Sequence, residues 1–338
     1  MHIPRLLQAL ILCGLAATLM VVNLPAAAAP GPSGTMTLYT SESDDDVNLL
    51  TRDFMQRNPG VRVNVFRAGS GPVVSKIQAE LQAGKIQADV IWFADIDFFR
   101  MLAGRDLLLA YSPPAGRRVD SRYHYGDNKM HEVRLIFNVV AYNTRIVRFK
   151  PTSWNDLTAA RYRGRAGMPS PFVSGAAFNH VGTFASMSEF GWDYYRRLRA
   201  NGAVVLNSNG DVAQKLASGE IVIAQIVDFF VRNLKAQGSP VDHIWPAEGA
   251  LLIPTPIAII NGTQNLAAAQ AFINYLYTPE AQRLFVSRSY IPVVDGIPYP
   301  RGTPDISELK IIRVNLDFIQ KNRELIRKTF GEIFGITP

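Results

Sequence analysis

Short apolar runs alternate with amphipathic stretches along this chain, and that alternation restricts its fold more than any other property. Met36–Tyr39 predicts a buried strand, and Val47–Arg57 an amphipathic helix entered through Ser43 and the acids Asp44, Asp45 and Asp46. Asn58-Pro59-Gly60 stops that helix. Val61–Phe66 alternates as a second strand, Pro72–Gly84 reads as a helix between Gly71 and Gly84, and Ala88–Phe93 is a third strand with a helix after it that ends near Gly104. Strand, helix, strand, helix, strand is the order of a mainly parallel sheet with right-handed crossovers.

A long apolar stretch, Val133–Tyr142, interrupts this rhythm, and a second α/β run follows. Ala166–Met168, Ala203–Leu206 and Ile221–Val227 predict strands; Gly175–Met187, Gly191–Asn201 and Asp211–Ser218 predict helices. Gly249–Ile260 reads as one further strand, and Leu266–Leu276 and Pro279–Ser287 as closing helices. There is no internal repeat and no low-complexity linker. The expected fold class is therefore α/β, with two lobes, each a mixed, mainly parallel sheet flanked by helices, joined by two crossing strands at Val133–Tyr142 and Gly249–Ile260. The expected boundaries are 29–138 for the first lobe, 139–252 for the second, and 253–338 for the return to the first lobe with the C-terminal helices.

The first 28 residues read as a signal peptide. Met1–Arg5 is weakly basic, Leu6–Leu24 is uncharged and apolar, and Ala26-Ala27-Ala28 supplies the small residues a signal peptidase needs. Cleavage after Ala28 fits better than after Ala29, because Pro30 would then follow the scissile bond without an N–H. The length of the apolar run leaves an uncleaved membrane anchor as the alternative. Cys13, the sole cysteine, lies inside this run, so the exported chain can form no intramolecular disulfide and no thiolate site. Its stability must come from its core, for which 48% hydrophobic residues suffice. Without Arg5, 34 Lys and Arg against 28 acids leave a charge of +6. That mild basicity suits a small anionic ligand, and no basic run interleaved with aromatics points to nucleic acid. Tyr194-Tyr195-Arg196-Arg197-Leu198-Arg199 reads as the solvated face of a helix.

Open parallel sheets bind ligands beyond the carboxyl ends of their strands, where helix N-termini face the crevice. Four such strand ends carry small polar residues: Thr40-Ser41-Glu42-Ser43, Gly69-Ser70-Gly71, Ser174-Gly175-Ala176 and Asn207-Ser208-Asn209-Gly210. Each alone is an ordinary helix cap, but four facing one cleft would form an anion site from backbone N–H groups, hydroxyls and helix dipoles. Enzymatic patterns are missing: no Gly-x-Ser-x-Gly elbow, no phosphate-binding Walker loop, no His-Glu-x-x-His helix and no complete dinucleotide fingerprint. His180, mid-helix, faces either a ligand or the core. His124, His131 and His243 read as structural or loop residues.

At these positions the chain resembles the bacterial extracellular solute-binding proteins of ABC importers, in the two-lobed class that includes ferric-iron-binding proteins. Met36–Tyr39 with the helix leading to Asn58-Pro59-Gly60-Val61-Arg62-Val63 is similar to the family opening, and Ala88-Asp89-Val90-Ile91-Trp92 to its third strand. Leu216-Ala217-Ser218-Gly219-Glu220-Ile221 and Asn274-Tyr275-Leu276-Tyr277-Thr278-Pro279-Glu280-Ala281-Gln282 resemble two further family segments. The resemblance implies a periplasmic-binding-protein-like fold of type II, an interlobe cleft, hinge closure, an inner-membrane ABC permease as partner, and a monomer with no cofactor and no catalytic residues. It also implies where iron-binding members hold their metal. Here Ser43 stands at the first such place, Ala94 at the second, and Phe229-Phe230 at the paired tyrosines. Phenylalanine has no oxygen donor, which argues against tyrosinate ligation. The remaining expectation is an anion cleft with Asp228 and Glu248 as carboxylates for the polar pole of the ligand, and Phe229 against a sugar or alkyl face or in the core. A small organic phosphate or phosphonate, such as a hexose phosphate or 2-aminoethylphosphonate, fits that description. Ferric iron held through a synergistic anion, and an exported enzyme on the same fold, are the alternatives.

Overall fold

The computed structural model describes residues 31–337; the leader expected over residues 1–28, and its anchor alternative, lie outside the described residues. The predicted alternation folds into two sheets. In the first, Gly34–Thr40 pairs in parallel with Val61–Arg67 on one side and Val90–Trp92 on the other. Ile257–Ile260 adds antiparallel to Val90–Trp92, and three two-residue strands complete this sheet. The first helix, Asp44–Arg57, begins where Ser43 accepts a hydrogen bond from the Asp46 N–H, and its three leading acids sit at the positive end of the helix dipole. Val47, Leu50 and Phe54 lie on one face of it and are buried.

The second sheet is built on Arg134–Asn143, a strand in which all ten residues are buried. Asn138–Tyr142 pair antiparallel with Ile223–Val227, Ile136–Asn138 with Leu251–Ile253, and Val140–Asn143 with Val241–Ile244. Ala166–Pro169 and Val204–Leu206 extend the sheet in parallel beyond Ile223–Val227, and Ile311–Arg313 extends it beyond Ala250–Ile253. Among the described residues no helix is long and apolar enough to cross a membrane.

Two expectations about the chain path are corrected. Gly249–Ile260 is two strands in different sheets, Ala250–Ile253 in the second and Ile257–Ile260 in the first. Pro254 and Pro256, which have no N–H to donate, end the ladder between them, so the joint Pro254-Thr255-Pro256 carries the chain from one sheet to the other. The first crossing likewise falls at Glu132–Val133, before the central strand begins. The segment 253–338 also divides. Ile311–Arg313 joins the second sheet, and the helix Leu316–Phe334 buries Ile319, Ile326 and Phe330 in the second-lobe core. It lies so close to the helix Gly175–Ser186 that a Cβ on Gly182 would stand 2.5 Å from Ile319 Cγ1. From that helix Arg323 reaches the first lobe, where Nη1 donates to Asp95 at 3.0 Å and to Asp97 at 3.3 Å.

The second-lobe core is aromatic, with Trp154, Phe184, Phe190, Tyr194, Tyr195 and Phe330. His180 belongs to it. Its ring stacks on Phe184 with centroids 3.9 Å apart, and Nδ1 lies 3.0 Å from the Tyr195 hydroxyl. Burial disfavours the imidazolium and lowers the pKa from 6.5 to about 3. Between those two pH values the unfolded chain takes up a proton that the folded protein refuses. This contribution is therefore intact above pH 6.5 and lost progressively as pH falls toward 3. His131 and His243, also lowered to about 3, act in the same direction. His180→Phe should remove about one proton from the acid-side slope, about 1.4 kcal/mol per pH unit. Urea denaturation between neutral pH and pH 4 measures this, and an unchanged slope would mean that His180 is protonated in the folded state.

Candidate ligand-binding cleft

Five helices begin in the crevice between the sheets, at Asp44, Ser70, Gly175, Asn209 and Asp228, each after the carboxyl end of a strand. Their N-terminal turns surround a cavity of about 230 Å³. Ser174 and Ser208 cap their own helices, accepting from Ala177 N and Asp211 N, whereas the helices at Ser70 and Asp228 carry no side-chain cap. Asn209 binds the second-lobe turns together. Its Nδ2 donates to Ser174 Oγ at 3.1 Å, and its Oδ1 accepts from Val227 N at 3.2 Å. Exposed backbone N–H groups and aligned dipoles make such a convergence a receptor for negative charge.

The lobes meet across the cleft through one backbone–backbone bond and one side chain–backbone bond. Gly71 N donates to Val173 O at 3.4 Å, and Asn179 Nδ2 to Ala94 O at 3.4 Å. Glycine is required at this contact, since a Cβ on Gly175 would stand 1.9 Å from Ala94 O and one on Gly71 2.2 Å from Phe172 O.

Of the residues expected at the site, Ser41, Glu42, Ser43, Gly69, Ser70, Ser174, Gly175, Ala176, Asn209 and Phe229 line this one cavity. The others stand apart from it. Thr40 is buried behind the first turn, where its hydroxyl donates to Trp92 O and accepts from Glu42 N. Gly71 is spent on the interlobe contact, and His180 on the aromatic core. Asp228 does not point into the cleft. The strand gives way to a helix at this residue, so the side chain turns back, accepts from Phe137 N at 3.0 Å and lies 2.8 Å from Arg232 one turn on. Glu248 is also structural: it accepts from the Ser153 hydroxyl and from Trp154 N, holding the loop after the central strand.

Arg134, Arg67, Asp44 and Thr255 line the cleft without being expected there, and Phe230 joins them beside Phe229. Arg134 is 2% exposed and ion-paired with Glu42; its Nη1 donates to Thr255 Oγ1 at 2.9 Å, and its guanidinium lies 4.5 Å from the Tyr290 ring centroid. Burial raises the Glu42 pKa, and the Arg134 charge opposes that rise. Arg67 donates through Nε to Glu42 O at 2.9 Å and stands 3.8 Å from exposed Asp44. A signal for both arginines was present: Arg134 is the one charge within the apolar run from Val133, and Arg67 ends a strand just before the Gly69 turn. Phe229 and Phe230 pack as tilted rings with centroids 4.3 Å apart, and Phe229 also packs on Tyr290 at 4.1 Å. Among the described residues no three His, Cys, Asp or Glu side chains are grouped to hold a metal ion.

Two lobes, a double crossing between their sheets and a cleft built from helix N-termini define a protein that captures a small solute between its lobes. The chain matches the family model for bacterial extracellular solute-binding protein over residues 50–310, and it belongs to that family. An uncharacterized protein of Haemophilus influenzae is 23% identical over 334 residues, covering 93% of this chain and 95% of its own length. A Salmonella paratyphi A protein named for periplasmic 2-aminoethylphosphonate binding is 24% identical over 294 residues, 82% of each chain. Among solved structures, the periplasmic binding protein AfuA of Actinobacillus pleuropneumoniae, with fructose-6-phosphate bound, superposes with a TM-score of 0.80 at 22% identity, over 90% of this chain and 100% of AfuA. Iron-bound HitA of Pseudomonas aeruginosa gives 0.77 at 21% identity, over 89% of this chain and 99% of HitA.

Gly175→Ala should hold the lobes apart, because the added methyl meets the rigid Ala94 backbone rather than a movable side chain. Small-angle scattering should give a larger radius of gyration than wild type, with a similar thermal midpoint because the site is a contact rather than core. Equal radii would show that the lobes do not meet through this contact in solution.

Proposed function

We propose that this protein captures a small organic phosphate or phosphonate in the periplasm and delivers it to an inner-membrane ABC permease. The observation that carries this reading is the convergence of helix N-termini from both lobes on one small cavity with Arg67 at its wall. The charge of Arg134 is matched by Glu42, so an incoming phosphoryl group is met by backbone N–H groups at Gly175 and Ala176 and in the Ser208–Gly210 turn, and by Arg67, the Ser174 N–H being held by Ser170 O. Asp44, exposed beside Arg67, then takes the polar-pole role expected of Asp228 and Glu248, facing hydroxyls or an amine at the other end. The paired Phe229 and Phe230 offer an apolar face to the ligand body. The names of the Salmonella relative and the fructose-6-phosphate bound to AfuA support a ligand of this chemistry. HitA holds iron on the same fold, but the paired phenylalanines and the engaged Glu42 leave this cleft few anionic oxygen donors for a hard cation.

Capture requires no covalent chemistry, and a monomer suffices. The lobes, bounded by the joints Glu132–Val133 and Pro254–Pro256, open and close by rotation at those joints. Export with cleavage after Ala28 brings the protein to its compartment. N-terminal sequencing of a periplasmic extract should begin at Ala29, and recovery only of full-length chain in membranes would sink this part.

Thermal shift with 2-aminoethylphosphonate, fructose 6-phosphate and ferric citrate tests the ligand class. An organic phosphate or phosphonate should raise the midpoint with concentration as mass action requires and be recovered unchanged; ferric citrate should not. Arg67→Ala should weaken that ligand by about 1.5–3 kcal/mol, roughly tenfold to a hundredfold. Stabilisation by ferric citrate alone, conversion of the ligand, or wild-type affinity in the variant would refute the assignment.

A further inference from the structure

On the other face of the hinge lies a second cavity, of about 580 Å³. Strand alternation separates it from the cleft: Arg134 and Ile136 line the cleft, and Leu135 between them lines this cavity. Along the return joint, Thr255 lines the cleft and Pro254 the second cavity. Its walls come from both lobes. The helix Ile96–Gly104 and the segment Arg122–Met130 belong to the first, and Ile306–Leu316 leads into and out of the edge strand of the second.

The chemistry of the lining is that of a ligand pocket rather than a packing defect. Ile96, Met130, Leu135, Leu252 and Ile253 give it an apolar floor, and its volume falls within the roughly 300–1,000 Å³ usual for small-molecule sites. Three arginines stand where the cavity meets solvent. Arg100 is 3.7 Å from Asp317 and Arg122 is 3.0 Å from Asp120, both exposed pairs, while Arg313 forms no ion pair among the described residues. Glu132 is the one carboxyl in the lining, and its oxygens are engaged: they accept from the Tyr125 hydroxyl, from Thr255 N at 2.7 Å and from Thr255 Oγ1 at 3.1 Å. Cationic groups above an apolar floor, with no free carboxylate, select an occupant that is apolar along its body and negative at one end.

We propose that this cavity is a second binding site, for an amphipathic monoanion in which an apolar chain ends in a single carboxylate. The chain lies on the Leu135–Ile253 floor and the carboxylate meets Arg313. An occupant touches both lobes, and Glu132 in its wall is joined through Thr255 to Arg134 in the cleft. The site is independent of the cleft in its chemistry and does not require the organic-phosphate reading to hold.

Calorimetric titration of the full protein with decanoate and with decylamine tests it. Decanoate should bind saturably with one site per chain, and decylamine, of equal length and opposite charge, should bind at least about tenfold more weakly. Leu252→Trp, which fills the floor, should abolish decanoate binding, and Arg313→Glu should weaken it about tenfold or more while leaving the thermal midpoint near wild type. Arg67→Ala, in the cleft, should leave it unchanged. Absence of saturable decanoate binding, equal binding of decylamine, or loss in Arg67→Ala with retention in Leu252→Trp would overturn the proposal; the last result would place decanoate in the cleft.

Discussion

The buried charge of Arg134 is the interaction on which the arrangement of the two lobes depends. A guanidinium that is 2% exposed is costly unless its hydrogen bonds and its charge are met nearby. Here the charge and the Nη1 and Nη2 donors are met by groups from three separate segments, while the buried Nε has no partner. Glu42 comes from the first turn of the first lobe, Thr255 from the proline-bounded return joint, and the Tyr290 ring from the segment that follows the first-lobe helices. Arg134 itself opens the buried central strand of the second sheet. One side chain thus ties both crossings and the first-lobe turn to the same end of one strand. The Tyr290 hydroxyl carries the network further, donating to Asp46 at 2.7 Å, and Arg288 pairs with the same Asp46.

From that anchored point the cleft follows by geometry. Parallel strands deliver their carboxyl ends to one side of each sheet, and every strand that leads into a helix places an N-terminus there. Facing two such sheets across a short hinge brings five helix starts together. The lobes approach closely because Gly69, Gly71 and Gly175 have no Cβ where backbone meets backbone. The preference for negative charge proposed for this cleft rests more on backbone N–H groups than on cationic side chains, one arginine being neutralised by its own partner and the other sharing its field with Asp44.

Local pattern is sufficient where a residue's conformation is decided within a few positions of itself. Ser43, Ser174 and the turn around Asn209 are helix starts because of their own side chains, and each lies at the cleft. It failed at Asp228 because the same carboxylate can face out of a strand end or back from a helix start; Phe137 and Arg232, 91 and four residues away, decide for the second. Glu248 was misplaced for a similar reason, its partners Ser153 and Trp154 lying on a loop some 95 residues earlier. Gly249–Ile260 has the pattern of one strand because both halves are apolar; that they belong to different sheets is a property of their neighbours, with Pro254 and Pro256 as the local sign.

The amino-acid order by itself determined the α/β class, the positions of most strands and helices, and the polar turns at the strand ends, since periodicity and capping act over one or two turns of chain. The tertiary structure decided which turns share a cavity, that Arg134 is paired and Arg67 is not buried, and that His180 packs among aromatic rings while Phe229 and Phe230 face the cleft. Those outcomes depend on contacts between residues tens to hundreds of positions apart. No local pattern encodes such contacts, because the free energy that selects them is released only when both lobes have folded and closed on one another.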